Sequence, residues 1–198
     1  MRKTDKDFLL KSYGEVYNSE CGPWNTSLTS KWLEYEITIF FEENFVLFEK
    51  SCICNVGIGA GYWDRYLSYI MPSNSTLVSV DIDYECCKQL KLSLVNEGNP
   101  NKIQIINQDI LKYDAENKFN IITMIGSTVI ESKKYKEILN KALSLLSVGG
   151  SLFYNSLNIK EEKEDLLNSL DQNLFSIEKY DVLENYGRKI ILAKIALN

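Results

Sequence analysis

Cys54-Asn55-Val56-Gly57-Ile58-Gly59-Ala60-Gly61-Tyr62 is the stretch that decides how this chain folds. Before it, Ser51–Val56 is a run of strand length that ends in glycines, and after it Tyr62–Ile70 reads as a helix. A strand, a glycine turn and a helix N-terminus in that order let the backbone approach a ligand closely, with helix amides pointing at it. The spacing is G-x-G-x-G. A dinucleotide fingerprint needs G-x-G-x-x-G, and position 62 is Tyr. A nicotinamide oxidoreductase is therefore the weakest reading of this loop.

Downstream the pattern alternates. Thr76–Val80 reads as a strand, Tyr84–Val95 as a helix, Ile103–Ile106 and Phe119–Ile125 as strands. Lys134–Leu146 reads as a helix, Ser151–Tyr154 as a strand and Lys160–Leu170 as a helix. Such alternation predicts a mostly parallel sheet with helices on both faces. Two strands close the chain, Phe175–Val182 and Lys189–Ile195, joined by Leu183–Arg188, where Asn185 and Gly187 favour a tight turn. That joint is too short for a crossover helix, so the pair must be an antiparallel hairpin. The expected fold is α/β: a seven-stranded sheet over residues 51–198, with a helical extension over residues 1–50 as part of the same domain.

The extension is aromatic. Tyr13, Tyr17, Trp24, Trp32 and Tyr35 lie there, with Phe40, Phe41, Phe45 and Phe48 behind them. Leu33, Ile37, Phe40 and Phe41 share one helical face. Cys21-Gly22-Pro23 breaks the segment, and Ser27 or Thr29 caps the helix that follows. Phe40, Phe41, Phe45 and Phe48 are expected in the core. Tyr13, Tyr17, Trp24 and Trp32 read either as core or as a lid that stacks on a planar or cationic acceptor.

Acids stand at the strand ends. Asp81 follows the glycine loop by about 20 residues, where a carboxylate accepts both ribose hydroxyls of an adenosine-bearing ligand. Asp83 would cap the next helix. Asp109, after the third strand, is placed to accept from an adenine amino group, with the Ile110 amide donating to a ring nitrogen. Asp81 and Asp83 also read as caps only, and Asp109 as an ordinary polar strand end. In Leu145-Leu146-Ser147-Val148-Gly149-Gly150-Ser151-Leu152, Gly149 or Gly150 is available as a helix C-cap.

On these residues the chain, over about 51–198, resembles the class I S-adenosylmethionine-dependent methyltransferases, whose fold is Rossmann-like. The resemblance implies that Gly57, Gly59 and Gly61 bind the methionine part of S-adenosyl-L-methionine, and that the product is S-adenosyl-L-homocysteine. It implies that Asp81 holds the ribose, that Ile82 packs on adenine and that Asp109 and Ile110 read its edge. Asn55 and Ile125 fall at further cofactor-lining positions. Ser147-Val148-Gly149-Gly150 looks like the family's helix-to-strand segment with Val in place of Pro. Three positions depart from the pattern. Asn55 stands in the first strand where an acid is usual, which weakens the contact to the cofactor amino group. Asn120 stands where the fourth strand often begins with Asp. The Asn/Asp-Pro-Pro-Tyr/Phe motif of enzymes that methylate exocyclic nitrogens is replaced by Ile125-Gly126-Ser127-Thr128, which argues against base amino-methylation.

Composition narrows the rest. The chain has 198 residues and a formal net charge of -5, with a sequence pI of about 5.0. A general basic surface is not expected, which leaves room only for a local patch, and DNA is not expected as a partner. There is no His, which removes the commonest general base and metal ligand. Cys21, Cys52, Cys54, Cys86 and Cys87 form no C-x-x-C pair, so no metal site is expected. The N-terminus is polar and no run approaches the roughly 20 apolar residues of a membrane span. The reading is a cytoplasmic protein with reduced thiols.

Methyl transfer from a sulfonium needs alignment and exclusion of water more than a catalytic motif. Any general base must come from Asp, Glu, Tyr, Lys or Cys. Candidates near the expected site are Tyr13, Tyr17, Glu20, Ser127 and Glu131. Tyr17 is the candidate catalytic residue, because N-terminal tyrosines in related enzymes often lie over the cofactor. Tyr13, Trp24, Trp32 and Ser127 are the candidate acceptor contacts. The leading reading is methyl transfer to a small molecule. The alternatives are a protein or RNA methyltransferase, and a non-catalytic protein that binds S-adenosylmethionine.

Overall fold

The apolar runs become seven strands of one sheet: β1 Cys52–Val56, β2 Thr76–Asp81, β3 Gln104–Asn107, β4 Phe119–Met124, β5 Leu146–Ser156, β6 Phe175–Asn185 and β7 Arg188–Leu197. Among the described residues the helices are α1 Leu28–Asn44, α2 Tyr62–Ile70, α3 Tyr84–Asn96, α4 Tyr135–Ser144 and α5 Lys163–Leu167. The computed structural model describes residues 28–99, 102–116, 118–126, 132–157 and 163–197. The chain divides into two compact units, Met1–Ile39 and Phe40–Asn198, with the boundary inside α1.

The strand order is β3-β2-β1-β4-β5-β7-β6. β1 to β5 pair in parallel, and β7 runs antiparallel between β5 and β6. Six strands therefore point one way and one the other. Central strands bury residues on both faces, among them Ile53, Cys54, Val80, Ile122 and Leu152. That pattern belongs to a parallel sheet covered by helices on both sides. Within the Phe40–Asn198 unit, Phe40 stacks on Phe153 of β5 at 5.2 Å, and Phe41 meets Trp63 of α2 edge-on at 5.2 Å. Leu33, Ile37, Phe40 and Phe41 are all buried.

Three local expectations are corrected. Phe48 is 68% exposed instead of in the core. It follows the end of α1, in a turn where its amide and carbonyl both bond the Ser51 hydroxyl, and this turn directs the ring outward. Thr29 does not cap α1 but lies inside it; Ser27 is outside the described residues. Gly149 and Gly150 do not cap α4 either, because α4 stops at Ser144 with Leu145 as its C-cap. They sit within β5, where the register against β4 jumps from Phe119↔Leu146 to Ile121↔Ser151. The glycines thus serve a bulge, which puts extra residues on one strand of a pair.

The closing hairpin has a two-residue turn, Tyr186-Gly187, with φ of 48° and 68°, between the paired Asn185 and Arg188. Positive φ at both central residues is the turn whose twist matches that of the strands. Among the described residues no helix is long and apolar enough to cross a membrane.

Candidate functional site

Chain order reverses between β1 and β4, which are neighbours in the sheet although β2 and β3 lie on the far side of β1. In such sheets a crevice opens at that point, outside the carboxyl ends of the strands. The glycine loop leaves β1 there and enters α2.

Gly57, Gly59 and Gly61 have φ of 88°, 53° and 74°, values that a side chain disfavours. A Cβ added at Gly57 or Gly59 would meet no heavy atom within 4 Å. The outer side of the loop is therefore open, so a ligand can reach its backbone. Gly61 differs: a Cβ there would lie 3.1 Å from Leu90 Cδ1 of α3, so this glycine allows two helices to approach. Gly61 also begins α2 without a side-chain cap.

Asp81, the last residue of β2, is tied to this loop. The Ile58 N–H donates to Asp81 Oδ2 at 2.6 Å and the Gly59 N–H at 3.4 Å, while the Asp83 N–H donates to Oδ1 at 2.8 Å. A carboxylate offers about four lone-pair sites. The two short bonds leave acceptor capacity on both oxygens. Asp83 caps α3 by accepting from the Glu85 N–H at 2.8 Å, as its position suggested. Ile82 is 73% exposed between them, open to a planar ligand. Asn107, the last residue of β3, holds this corner. Its Nδ2 donates to the carbonyls of Asp81 and Ile82 at 3.1 and 3.0 Å.

At the end of β3, Asp109 Oδ1 accepts from the Leu111 N–H at 3.0 Å and caps a short 3-10 turn, Ile110–Lys112. Its second oxygen is the acceptor available to a ligand. The Ile110 side chain is buried in the core. Ile125 is half-buried just past β4, followed by Gly126, whose N–H donates to Asn155 Oδ1 at 3.1 Å. The glycine loop, Asp81, Ile82, Asp109 and Ile125 thus occur at the carboxyl ends of β1 to β4.

Asn55 is fully buried beneath the loop. Its Oδ1 accepts from the Thr123 hydroxyl at 2.7 Å, and its Nδ2 donates to the Gly57 carbonyl at 2.9 Å and to Asp64 Oδ1 at 2.8 Å. Thr123 in turn accepts from the Trp63 indole at 3.0 Å, and Ser79 Oγ donates to Asp64 Oδ1. Burial, opposed by the Ser79 and Asn55 bonds, pushes the Asp64 carboxyl up to about 6. Burial, with the charge of Asp64, pushes the Cys54 thiol up to about 12, which makes it inert as a nucleophile.

Tyr13, Tyr17, Glu20, Trp24, Ser127 and Glu131 lie outside the described residues. Trp32 is half-buried on α1, and its indole donates to Glu36 Oε1 at 2.9 Å. Among the described residues no three Cys, Asp or Glu side chains are grouped to hold a metal ion.

The strand order, the closing hairpin and the open glycine loop facing Asp81 define a nucleoside-binding fold of the methyltransferase type. Residues 53–150 match the model of the methyltransferase domain family. That match spans just under half of the chain and marks a methyltransferase domain of the S-adenosylmethionine-dependent type. No curated protein matches it in sequence. Among solved structures it is similar to the N-methyltransferase NodS from Bradyrhizobium japonicum WM9 in complex with S-adenosyl-L-homocysteine, at 12% identity and a TM-score of 0.71, covering 94% of this chain and 97% of that one. It is also similar to magnesium protoporphyrin IX methyltransferase from Synechocystis PCC 6803 with bound cofactor, at 11% identity and a TM-score of 0.71, covering 96% and 91%. An rRNA methylase from Streptococcus thermophilus aligns at 18% identity and a TM-score of 0.62, covering 82% and 94%. At such identities these likenesses describe the fold.

Proposed function

We propose that this protein transfers a methyl group from S-adenosylmethionine to a small-molecule acceptor. The observation that carries the cofactor reading is the loop Gly57–Gly61, open on its outer side and bonded through Ile58 to Asp81. In this reading the loop backbone receives the methionine part, Asp81 accepts the ribose hydroxyls, Ile82 packs on adenine, and Asp109 with the Ile110 amide reads the base edge. When bound, S-adenosylmethionine supplies a methyl group on a sulfonium, which passes to a lone pair of the acceptor as the carbon–sulfur bond breaks. Around it, the residues of this chain orient the acceptor and keep water out. Tyr17 is the proposed residue at the reacting end, with Tyr13, Trp24, Trp32 and Ser127 as acceptor contacts.

The acidic surface, with a net charge of -5, favours a small acceptor over RNA. The test is calorimetry with S-adenosyl-L-homocysteine and NAD, followed by transfer of labelled methyl to parallel panels of small amines, phenols and carboxylates, of proteins and of RNA. Label in the small-molecule panel supports the proposal. Label confined to RNA or protein would overturn the acceptor class, and tight binding with no label anywhere would favour a non-catalytic binding protein.

A further inference from the structure

We propose that Asp64 is a positioning residue of the cofactor site: its buried carboxylate fixes Asn55, and through Asn55 the glycine loop, and supplies the negative charge that the first strand lacks. This deepens the cofactor reading above and rests on it.

The hydrogen bonds beneath the loop have only one sense. The Trp63 indole is a pure donor, so the Thr123 hydroxyl accepts from it and must spend its own proton on Asn55 Oδ1. Asn55 is thereby turned so that Nδ2 faces two acceptors, the Gly57 carbonyl and Asp64 Oδ1. Gly57 is the first residue of the loop, and its carbonyl is set by this amide. Without the carboxylate, Nδ2 would lose one of the two acceptors that define its orientation.

Burial makes this carboxylate expensive. Asp64 is 0% exposed, and its Oδ2 has no hydrogen-bond partner in this network. A fold optimised for stability alone would place an apolar or neutral residue here. Asp64 lies on the inner face of α2 with Leu67 and Ser68, against β1 and β2. The titratable groups facing it are Cys54 on β1 and Asp81 on β2, whose charge also raises its pKa. β4 presents Thr123, which does not titrate. Asp64 and Asp81 together place two carboxylates around one loop. S-adenosylmethionine carries both a sulfonium and an ammonium, whereas the homocysteine product keeps only the ammonium. An ionised Asp64 therefore favours the methyl donor over its product.

The sign is fixed by which form binds. A cationic ligand binds the ionised form better, so affinity is full above the Asp64 pKa and is lost as pH falls through about 6. If the protonated form binds several-fold more weakly, affinity for S-adenosylmethionine should fall several-fold, and at most about tenfold, between about pH 8 and pH 5. Stability runs the other way. A carboxyl raised from 3.8 stabilises the fold below that value and loses the contribution as pH rises through about 6.

The experiment is calorimetry of the full chain with S-adenosylmethionine and S-adenosylhomocysteine across this range, on wild type, Asp64→Asn and Ser79→Ala, each with a melting curve. Asp64→Asn should melt higher than wild type at about pH 8, yet bind S-adenosylmethionine several-fold more weakly, with a flat pH profile and less discrimination against the product. Ser79→Ala, which removes a bond to the ionised form, should shift the midpoint of the profile upward. A folded Asp64→Asn protein with wild-type affinity and an unchanged profile would overturn the proposal while leaving the cofactor reading intact. Failure of the wild type to bind either molecule would overturn both.

Discussion

Removing the carboxylate of Asp81 tests the ribose assignment most directly. Short bonds from Ile58 and Asp83, at 2.6 and 2.8 Å, take two of its roughly four acceptor sites, and a ligand that displaces the long Gly59 bond at 3.4 Å finds two for its 2′ and 3′ hydroxyls. A hydrogen bond to a charged group contributes about 1.5–3 kcal/mol. Asp81 is half-exposed, so water partly replaces the carboxylate at the hydroxyls of a bound ligand. The total for Asp81→Ala is therefore set at about 1.5–3 kcal/mol instead of twice that. At 1.4 kcal/mol per tenfold this corresponds to about a 10- to 150-fold weaker Kd for S-adenosylhomocysteine. The assay is calorimetry at fixed pH, with far-ultraviolet circular dichroism to establish folding. The 2′-deoxy analogue adds a second axis: wild type should bind it more weakly than the parent, and Asp81→Ala should erase most of that difference. A folded Asp81→Ala protein whose Kd stays within twofold of wild type would refute the assignment and reduce Asp81 to a strand end that holds the loop.

Gly61→Ala should cost about 2 kcal/mol, because it forces a side chain into left-handed backbone and toward Leu90. In a chain of this size that lowers Tm by about 4–8 °C, read by calorimetric melting. Deleting residues 1–24 should abolish methyl transfer and weaken cofactor binding while the circular dichroism of the sheet persists; full-rate transfer by the truncated protein would return Tyr13, Tyr17 and Trp24 to ordinary packing. Turnover, once an acceptor is found, should survive EDTA, and loss of activity restored by magnesium or zinc would contradict that.

Much of this architecture was legible because it rests on local chemistry. Glycines at alternate positions after an apolar strand, acids at the next strand ends, and a joint too short for a helix each have one mechanical solution. The Gly149-Gly150 pair misled because glycine serves a helix cap and a strand bulge equally well, and only the register against β4 separates the two. Phe48 misled because its hydrophobicity says nothing about the turn at Ser51 that aims it outward. Asp64 passed unnoticed as a charged residue in a helix. Its spacing was informative, since positions 64, 67 and 68 share the inner face of α2. An acid on an otherwise inward stripe is the signal that was available. Its partners Ser79 and Thr123 come from other strands, and no spacing rule brings them together.

β6 ends the sheet with an eleven-residue strand that, among the described residues, has a neighbour on one side only. A long open edge is a template on which a second chain can add strands and begin a fibril. This edge is defended. Its register breaks between Ile177 and Lys179, and Glu178, Lys179, Asp181 and Glu184 place charges of both signs along it. Lys179 pairs with Asp181 at 3.3 Å, and Glu178 with Lys194 of β7 at 2.8 Å. An incoming strand would have to follow the kink and strip water from these ions. The chain is thereby guarded against growth by edge addition, and the guard weakens as salt screens the charges.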